Sequence, residues 1–502
     1  MAGQRIDKCD IAIVGGGLAG GLAALALAAK RPDLDVRLVE PGPVGGNHIW
    51  SFFDSDIAKK ERWLVAPLVR HHWPRYDVRF PSHARQLRMG YKSITGEALA
   101  EAVAAALPEG HIIADKAKHV APDHLLLARG GRLSAKHVID ARGAGKFPGL
   151  DCGWQKFVGQ ALTVKGGHGV EYPVVMDASV EQRDGYRFVY LLPFDAETVF
   201  IEDTYYSDDA DLDAAAVRER IAAYAAAQGW DVAATTREES GVLPVVIAGD
   251  FERLWPASDR TARIGVRAGQ FHATTGYSLA HAVRTASALP ALVDRSDLAA
   301  VLRARAAASW RRQRFYRMLG AMLFRAAEPD ERFRIFERFY RLSPRLIARF
   351  YAGRSTTTDK LRLLAGKPPV AIGRAGASVR ASSLAGSSHA SASPTAGAPP
   401  DTDPDSVAAG AMTRNPSAPV STRLPAAKPG CGRNHWLIGT RSVPMSPSRA
   451  PRSPLIPPNA QRSKTPADRP SPVARTISPS LSWKASTSSR STPAPSRGSR
   501  TA

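Results

Sequence analysis

The amino-acid sequence predicts an α/β protein of several domains that ends in a long low-complexity tail. A strand, a glycine-rich loop, a helix and a second strand open the chain in that order. Strand-like and then helix-like patterns continue to about residue 370, where the composition changes abruptly. With 502 residues, 44% of them hydrophobic, the chain has room for roughly two to three domains and enough apolar material for a core.

The start of the chain carries a dinucleotide-binding pattern. Asp10–Val14 has the pattern of a short buried strand, Gly21–Lys30 that of an Ala/Leu-rich helix, and Asp35–Val39 that of a second strand. The loop Gly15–Gly20 fits G-x-G-x-x-G, and Glu40 follows the second strand. This order of elements favours a Rossmann-type domain over a glycine-rich turn that binds nothing.

Each position of the glycine motif has a physical role. Gly15 permits a tight turn, Gly17 lets the backbone approach a pyrophosphate, and Gly20 lets the helix pack close to the strand. Leu18 and Ala19 lie between Gly17 and Gly20, just before the helix, and the free backbone N–H groups of the helix N-terminus can bind an anion. All five residues are therefore predicted to bind the cofactor.

The motif favours FAD over NAD as that cofactor. Glu40 lies 20 residues after Gly20, the right spacing for a carboxylate that accepts hydrogen bonds from a ribose. The chain has no second G-x-G-x-x-G, and an N-terminal fingerprint alone is typical of FAD-binding chains. Val138–Gly143 has the pattern of a strand that returns to this domain after a β-meander at His119–Lys136.

The predicted architecture has five segments. Residues 1–155 and 257–300 form the two parts of the FAD-binding domain, and residues 156–256 form an inserted β-rich substrate domain. Residues 301–370 form a helical region, and residues 371–502 form a disordered tail.

The tail has the composition of a disordered segment. It holds 17 Lys and Arg against 4 acids and 20 of the 38 prolines, with no Glu, Phe or Tyr. Two origins fit this composition, a frameshifted reading of a GC-rich gene and a natural disordered tail. Since the tail supplies most of the net charge of +22 and lacks a Lys-rich or Arg/aromatic pattern, we expect no nucleic-acid partner.

Cysteine, histidine and hydropathy patterns exclude further classes. Three scattered cysteines without C-x-x-C predict neither a disulfide framework nor a cysteine zinc site, which fits a reducing cytoplasm. The histidines show no H-E-x-x-H spacing, so no metal is expected at His48, His71, His72 or His272. With no apolar run of about 18 residues and no signal peptide, the chain is expected to be soluble or peripheral to a membrane.

Nine short runs carry a more specific signal, and together they resemble the bacterial lycopene β-cyclases, which form the rings of carotenoids. The runs are Gly45–Phe52, Trp73–Pro81, Phe157–Gly159, Met176–Ala178, Asp184–Pro193, Phe200–Ser207, Arg237–Pro244, Arg267–Ser278 and Phe350–Arg354. The resemblance extends from about Cys9 to about Pro369, and the abrupt departure beyond it favours a frameshift. We expect the catalytic core to be present, with the last helix of the family compromised.

The resemblance implies a reaction and its cofactors. In that family each acyclic end of lycopene is protonated, a tertiary cation forms, a neighbouring double bond attacks it, and loss of a proton leaves a β-ring. The product is β-carotene by way of γ-carotene, without net redox change. The family uses reduced FAD, with NADPH or NADH as reductant, and the reduced flavin is thought to stabilise the cationic transition state.

The chemistry needs an acid that stays protonated near neutral pH, and burial can provide one. By its position in the family motif, Glu202 in the strand-like run Phe200–Thr204 is expected to be the general acid and base. Asp203 is expected to be its electrostatic or structural neighbour, because adjacent strand residues face opposite sides unless a bulge intervenes. The alternative is two surface acids at a strand end. Glu239 is a supporting candidate, with a solvated turn as the alternative.

Two further regions are expected to contact cofactor or membrane. Residues 265–278 have the pattern of strand, glycine loop and helix from Ser278, which makes Gly269, Thr274, Thr275 and Gly276 expected flavin contacts; the alternative is an ordinary N-capped helix. Residues 310–354 hold 12 arginines, 10 aromatic residues and only 4 acids, with helical spacing. This stretch forms either helices packed on the core or a face that docks on anionic lipid.

The resulting hypothesis is a cytoplasmic lycopene β-cyclase, peripheral on the inner face of the cell membrane. Six aromatic residues suit the walls of a tunnel for a polyene and its cation, although each alone is more typical of core packing: Trp50, Phe52, Trp73, Tyr186, Phe188 and Tyr190. The competing classes are a flavin oxidoreductase, such as a monooxygenase or an isoprenoid double-bond reductase, and a basic RNA-binding or scaffolding protein.

Overall fold

Strands and helices alternate at the start of the chain, a long β-rich stretch follows, and a run of helices ends the described part. The computed structural model describes residues 6–143, 145 and 147–366, and the predicted tail at 371–502 lies outside the described residues. The strands are β1 (Ile6–Val14), β2 (Val36–Val39), β3 (Ile49–Phe53), β4 (Val69–Trp73), β5 (Tyr76–Phe80), β6 (His83–Leu87), β7 (Tyr91–Thr95), β8 (Ile112–Ile113), β9 (Ala117–Val120), β10 (His124–Leu127), β11 (Arg132–Asp140), β12 (Leu150–Lys165), β13 (Val174–Asp177), β14 (Tyr186–Pro193), β15 (Thr198–Ser207), β16 (Asp231–Gly249) and β17 (Ala262–Arg263).

The α-helices concentrate in the last third of the described chain. They are α1 (Leu18–Lys30), α2 (Gly96–Ala106), α3 (Ala214–Ala227), α4 (Phe251–Leu254), α5 (Leu279–Ala288), α6 (Leu298–Arg312), α7 (Arg314–Arg325), α8 (Phe333–Tyr340), α9 (Pro344–Tyr351) and α10 (Thr357–Leu364). Short 3₁₀ helices occur at Lys59–Leu64, Ala66–Leu68, Gly265–Ala268, Leu289–Ala291 and Pro329–Glu331.

The first sheet is the predicted Rossmann-type sheet. Its order is β8-β2-β1-β11-β10-β9, with β17 paired to β11. Strands β8, β2, β1, β11 and β17 run parallel, whereas β9, β10 and β11 form an antiparallel meander. The meander and the return of β11 beside β1 confirm the sequence-based interpretation of residues 119–143. Helix α1 packs on this sheet because Leu22, Ala23 and Leu27 on its buried side join the core.

The second sheet has one aliphatic and one aromatic face. Its strand order is β16-β12-β15-β14-β13-β5-β6. A third, three-stranded sheet has the order β3-β7-β4. One face of the second sheet is aliphatic and is covered by α3 through Val217 and Ile221. The other face is aromatic and packs against residues of α7, α8 and α9. Strand β12 begins at Leu150, before the predicted domain boundary at residue 155, and β5 and β6 join the same sheet.

The helical periodicity at the end of the chain predicted its elements correctly. The spacing of Phe315, Met318 and Leu319 corresponds to α7, and that of Phe333 and Phe336 to α8. One local prediction was wrong: the segment at Gly265–Ala268 is a 3₁₀ helix, and the strand before it is the two-residue β17. The buried backbone there turns at a left-handed Gly269, which an extended strand does not allow.

Candidate active site

Two carboxyl side chains lie on the aromatic face of the second sheet, one on each side of strand β12. Strand β12 pairs with β15 and β16 on its two sides, and Gly159 of β12 lies opposite Glu202 of β15 and opposite Glu239 of β16. Residues directly opposite in antiparallel strands share a face. Glu202 and Glu239 therefore flank Gly159 on one face, although they are 37 residues apart in the chain.

Gly159 adds no side chain of its own between the two carboxyls, and the ring of Phe200 packs on it. A Cβ atom at this position would overlap the ring of Phe200, which lies two residues before Glu202 on the same face. The phenyl ring thus occupies the volume that a larger residue at position 159 would need. The glycine is required here for packing, since its backbone has no left-handed φ.

Glu202 has the environment of a protonated carboxylic acid. Burial, followed by the negative charge of Glu239, raises the pKa of Glu202 from 4.5 to about 8, and Asp203 adds to the rise. The hydroxyl of Thr204 opposes it by donating a 2.7 Å hydrogen bond to Glu202 Oε1. Glu202 therefore holds its proton at neutral pH and has one partner that stabilises its anion.

Asp203 faces the other side of the sheet. It is fully buried, and its carboxylate accepts hydrogen bonds from Nε and Nη2 of Arg187 at 3.0 and 2.6 Å. Strand alternation, without a bulge between β15 and its neighbours, separates it from Glu202. Asp203 is a neighbour of the acid along the chain and through the sheet, and it does not share the pocket face.

Glu239 is buried in the middle of the long strand β16, so the solvated-turn alternative is wrong. Its Oε2 accepts a 3.0 Å hydrogen bond from the backbone N–H of Ile49, and Nδ1 of His48 lies 3.4 Å from the same oxygen. Both partners belong to the segment that leads into β3.

Aromatic side chains surround the carboxyl pair. Tyr190 of β14 lies opposite Glu202, and Phe188 lies opposite Thr204 on the same face. The hydroxyl of Tyr190 is 2.8 Å from the hydroxyl of Tyr277, in the loop before α5. Other buried rings of this face are Phe53, Trp73, Tyr76, Tyr91, Tyr186, Phe200, Tyr206, Phe271 and Tyr351. Polar groups on this face include the two carboxyls, several tyrosine hydroxyls and the amide of Gln155, whose oxygen accepts a 3.0 Å hydrogen bond from Tyr206.

The glycine motif has the geometry of a dinucleotide-binding loop. Gly15 has a φ of 103°, and a Cβ there would lie 2.7 Å from the backbone nitrogen of Arg142. A Cβ at Gly20 would overlap the carbonyl oxygen of Gly15. In contrast, nothing lies within 4 Å of a Cβ built on Gly17, and no side chain caps the start of α1. Open space before uncapped N–H groups is the cradle that a pyrophosphate requires.

Three other predicted cofactor residues lie around this cradle. Leu18 and Ala19 form the first turn of α1, and Glu40 directly follows β2. The Glu40 carboxylate accepts hydrogen bonds from the backbone N–H of Gly16 at 2.6 Å and of Gly42 at 3.2 Å. A carboxylate has about four lone-pair sites, so it can hold the loop and still accept from a ribose.

The loop before α5 carries the four residues that the sequence predicts as flavin contacts, and α5 begins after Ser278 as predicted. Gly269 and Gly276 both adopt left-handed conformations, with φ of 67° and 72°. Thr274 and Thr275 are buried, and the Thr274 hydroxyl donates to the carbonyl of Tyr316. This hydroxyl stabilises the packing of the loop on α7, and the uncapped first turn of α5 is the part of the loop that offers N–H groups.

Sequence reasoning assigned no role to Gly159, Thr204 or Tyr277. Thr204 could have been found from its spacing, because it lies two residues after Glu202 and must share its face. Gly159 and Tyr277 could not, since their positions depend on strand register and on a loop from another part of the chain. Among the described residues no group of three metal-binding side chains converges. No helix in the described ranges is long and apolar enough to cross a bilayer.

Known proteins were compared with the chain at the level of structure and of sequence. A geranylgeranyl bacteriochlorophyll reductase-like protein from Thermoplasma acidophilum matches with a TM-score of 0.49 and 13% identity, over 73% of this chain and 98% of that chain. A p-nitrophenol 4-monooxygenase from Pseudomonas putida matches with a TM-score of 0.49 and 16% identity, over 70% and 99%.

Sequence comparison gives a much closer match. The lycopene beta-cyclase of Pseudescherichia vulneris is 44% identical over 372 residues, which cover 73% of this chain and 96% of the relative. That of Pantoea ananas is 43% identical, over 72% and 96%. The family model described as lycopene cyclase protein matches residues 10–377. The chain therefore belongs to the lycopene cyclase family.

Proposed function

We propose that this chain is a lycopene β-cyclase, which closes both acyclic ends of lycopene to β-rings and gives β-carotene by way of γ-carotene. The observation that carries the proposal is the pair of carboxyls, Glu202 and Glu239, across Gly159 on an aromatic face. Alkene protonation needs a buried acid, and a hydrocarbon substrate needs apolar walls. Glu202, half-buried by its exposure to solvent and with a raised pKa, lies on the aromatic face of the second sheet, which supports this assignment.

Glu202 starts and ends the reaction. Its proton passes to the terminal double bond of an acyclic end and leaves a tertiary cation. The neighbouring double bond attacks this cation, so that a new carbon–carbon bond closes the ring and the charge moves into the ring. The Glu202 carboxylate then accepts the proton lost from the ring carbon beside the charge, which forms the ring double bond. One proton enters and one leaves, so substrate and product are isomers.

The aromatic face stabilises the charge during this sequence. The face of a tyrosine or phenylalanine ring attracts a cation, more strongly where water is excluded. Tyr190, Phe188 and Phe200 are buried on the same face of the sheet as Glu202, so we expect the cation to form beside them. Asp203 has a supporting role through its ion pair with Arg187, which fixes β15 against β14.

FAD is the cofactor that the glycine cradle fits. Gly15, Gly17 and Gly20 with the first turn of α1 would hold its pyrophosphate, and Glu40 its ribose. The first turn of α5, after Gly276, would meet the flavin end of the molecule. In its reduced form, regenerated by NADPH or NADH, bound FAD supplies an electron-rich ring that stabilises positive charge without net redox change.

The inner membrane surface is the proposed source of substrate. Lycopene is insoluble in water, and the helices from α7 to α9 carry arginines beside aromatic residues. Leu361 and Leu364 of α10 are exposed and lie next to Lys360 and Arg362. Binding to anionic liposomes should therefore weaken as salt rises, and a chain that stays in the supernatant at low salt would contradict this location.

Pigment analysis of lycopene-accumulating cells that express the full chain tests the function. We expect γ-carotene to appear first and β-carotene to replace lycopene. Cells with an equal amount of folded, flavin-containing protein that retain only lycopene would overturn the proposal.

A further inference from the structure

The glycine cradle lies at an edge of the first sheet where three parallel strands end. Strand β11 lies between β1 and β17, with Val14 of β1 opposite Asp140, and Asp140 opposite Arg263 of β17. The cradle follows β1, and the residues after β11 and β17 leave the sheet at the same edge. Parallel sheets bind ligands outside the carboxyl ends of their strands. Side chains that follow β11 and β17 are therefore placed to reach a molecule bound in the cradle.

Two arginines share one carboxylate at this edge. The carboxylate of Asp140 accepts hydrogen bonds from Nε and Nη2 of Arg142 at 2.9 and 2.8 Å, and from Nε of Arg267 at 3.1 Å. The Asp140 side chain is 5% exposed, whereas those of Arg142 and Arg267 are 36% and 28% exposed. The buried carboxylate thus holds two guanidinium groups that reach solvent.

Asp140 is ionised although it is buried. Burial raises its pKa, but the hydrogen bonds from Arg142 and the positive charge of Arg267 outweigh burial and hold the pKa below its usual range. The hydrogen bonds to the carboxylate in turn raise the pKa of Arg142. Arginine stays protonated in proteins, so the two guanidinium groups exceed the single carboxylate by one positive charge at neutral pH.

Both arginines belong to backbone segments that touch the cradle. A Cβ atom at Gly15 would lie 2.7 Å from the backbone nitrogen of Arg142, and one at Gly265 would lie 2.6 Å from the Cβ atom of Ala19 in the first turn of α1. The 3₁₀ helix that begins at Gly265 contains Arg267. Nη1 of each arginine makes no hydrogen bond to any residue that the structure describes. These N–H groups can therefore donate to a ligand.

We propose that Arg142 and Arg267, oriented by Asp140, bind the pyrophosphate of FAD beside the first turn of α1. This inference rests on the proposed function, because it takes FAD as the molecule held in the cradle. A pyrophosphate is an anion, and the N-terminus of a helix offers only about half a positive charge to it. The two guanidinium groups add positive charge, and their planar N–H groups match phosphate oxygens.

A purely structural role is the competing interpretation, because Asp140 joins the end of β11 to the 3₁₀ helix. Loss of a structural link would destabilise the flavin-free protein and weaken every ligand of the cradle alike. Loss of a phosphate contact would weaken only ligands that carry phosphate. ADP has the adenosine and pyrophosphate of FAD without the flavin ring, and adenosine has no phosphate. These two ligands therefore separate the interpretations.

Competitive binding to the full chain, freed of flavin, is the test. FAD is titrated by its fluorescence, and ADP and adenosine are measured as competitors. We expect Arg142→Gln and Arg267→Gln each to weaken FAD and ADP binding about tenfold, the effect of one charged hydrogen bond, and to change adenosine binding less than about twofold. Lys136→Gln is the matched control, because it removes a positive charge from β11 at an exposed side chain that pairs with Asp10. Its affinities should equal those of the wild type.

Thermal unfolding of each flavin-free variant checks that the fold is intact. Should the Gln variants fail to fold, Arg142→Lys and Arg267→Lys keep the charge but lose the planar fork, so ADP binding should weaken about threefold and adenosine binding should not change. Unchanged ADP affinity in these variants, or equal losses for ADP and adenosine, would overturn the inference. Binding is measured without lycopene, so a chain that binds FAD and ADP as expected but forms no β-carotene would overturn the proposed function alone.

Discussion

Thr204 donates a 2.7 Å hydrogen bond to Glu202 from a position two residues further along the same strand. The bond stabilises the carboxylate that remains after proton transfer. It opposes the burial and the charge of Glu239 that together raise the pKa of Glu202 to about 8. Thr204 therefore lowers the pKa of Glu202 against these larger effects and stabilises its anion.

The first prediction concerns pH. Proton donation by Glu202 requires its protonated form, so kcat of the wild type should fall as pH rises through about 8. Thr204→Val removes the donor that lowers the pKa, so this decline should move to higher pH while the maximal rate falls. Thr204→Ser keeps the hydroxyl and serves as the control. If kcat of Thr204→Val falls at the same pH as kcat of the wild type, the decline does not report the titration of Glu202.

The second prediction concerns the packing of Phe200 on Gly159. Gly159→Ala should push the ring of Phe200 toward the carboxyls, destabilise the fold by about 1–3 kcal/mol through overpacking, and lower kcat at least tenfold. Gly153→Ala is the matched control, because a Cβ there overlaps Phe324, away from the carboxyl pair on the same strand. Thermal unfolding and turnover are measured for both. Equal turnover losses in Gly159→Ala and Gly153→Ala would contradict a special role of Gly159 beside the carboxyl pair.

The third prediction separates the adjacent acids. Asp203→Asn leaves Arg187 buried without its anion, which should destabilise the fold by about 3–5 kcal/mol. Turnover per folded, flavin-loaded molecule should nevertheless survive, since Asp203 does not share the face of Glu202. The checks are the free energy of unfolding and kcat corrected for flavin content. Normal stability with complete loss of turnover would place Asp203 in the chemistry.

The fourth prediction concerns the cofactor. Gly17→Val should fold normally, because nothing in the chain lies within 4 Å of the new Cβ and the backbone φ of −67° suits any residue. The side chain would fill the cradle, so the purified variant should carry little flavin. Glu40→Ala should weaken binding less. A yellow Gly17→Val protein with one flavin per chain would contradict the assignment of the cradle.

Local sequence patterns predicted most elements of the fold, but they did not predict which distant residues lie beside Glu202. The order β1, glycine loop, α1 and β2 follows from neighbouring residues, as do the meander before β11 and the helical spacing in α7 and α8. Strand alternation also anticipated that Glu202 and Asp203 face opposite sides. The placement of Glu202 and Glu239 on one face, across Gly159, could not be predicted, because it depends on the register of two strands with β12. The same holds for the hydroxyl pair of Tyr190 and Tyr277.

The central claim is that Glu202 supplies the proton that starts ring closure. Its most direct test is kcat of Glu202→Gln, in the purified full chain with reduced FAD, beside Glu238→Gln. Glu238 is the matched control because it neighbours Glu239 but binds Arg218. We predict normal flavin content in both variants, a loss of about 10²–10⁴-fold in Glu202→Gln, and near wild-type turnover in Glu238→Gln. Wild-type formation of β-carotene by Glu202→Gln would contradict the claim.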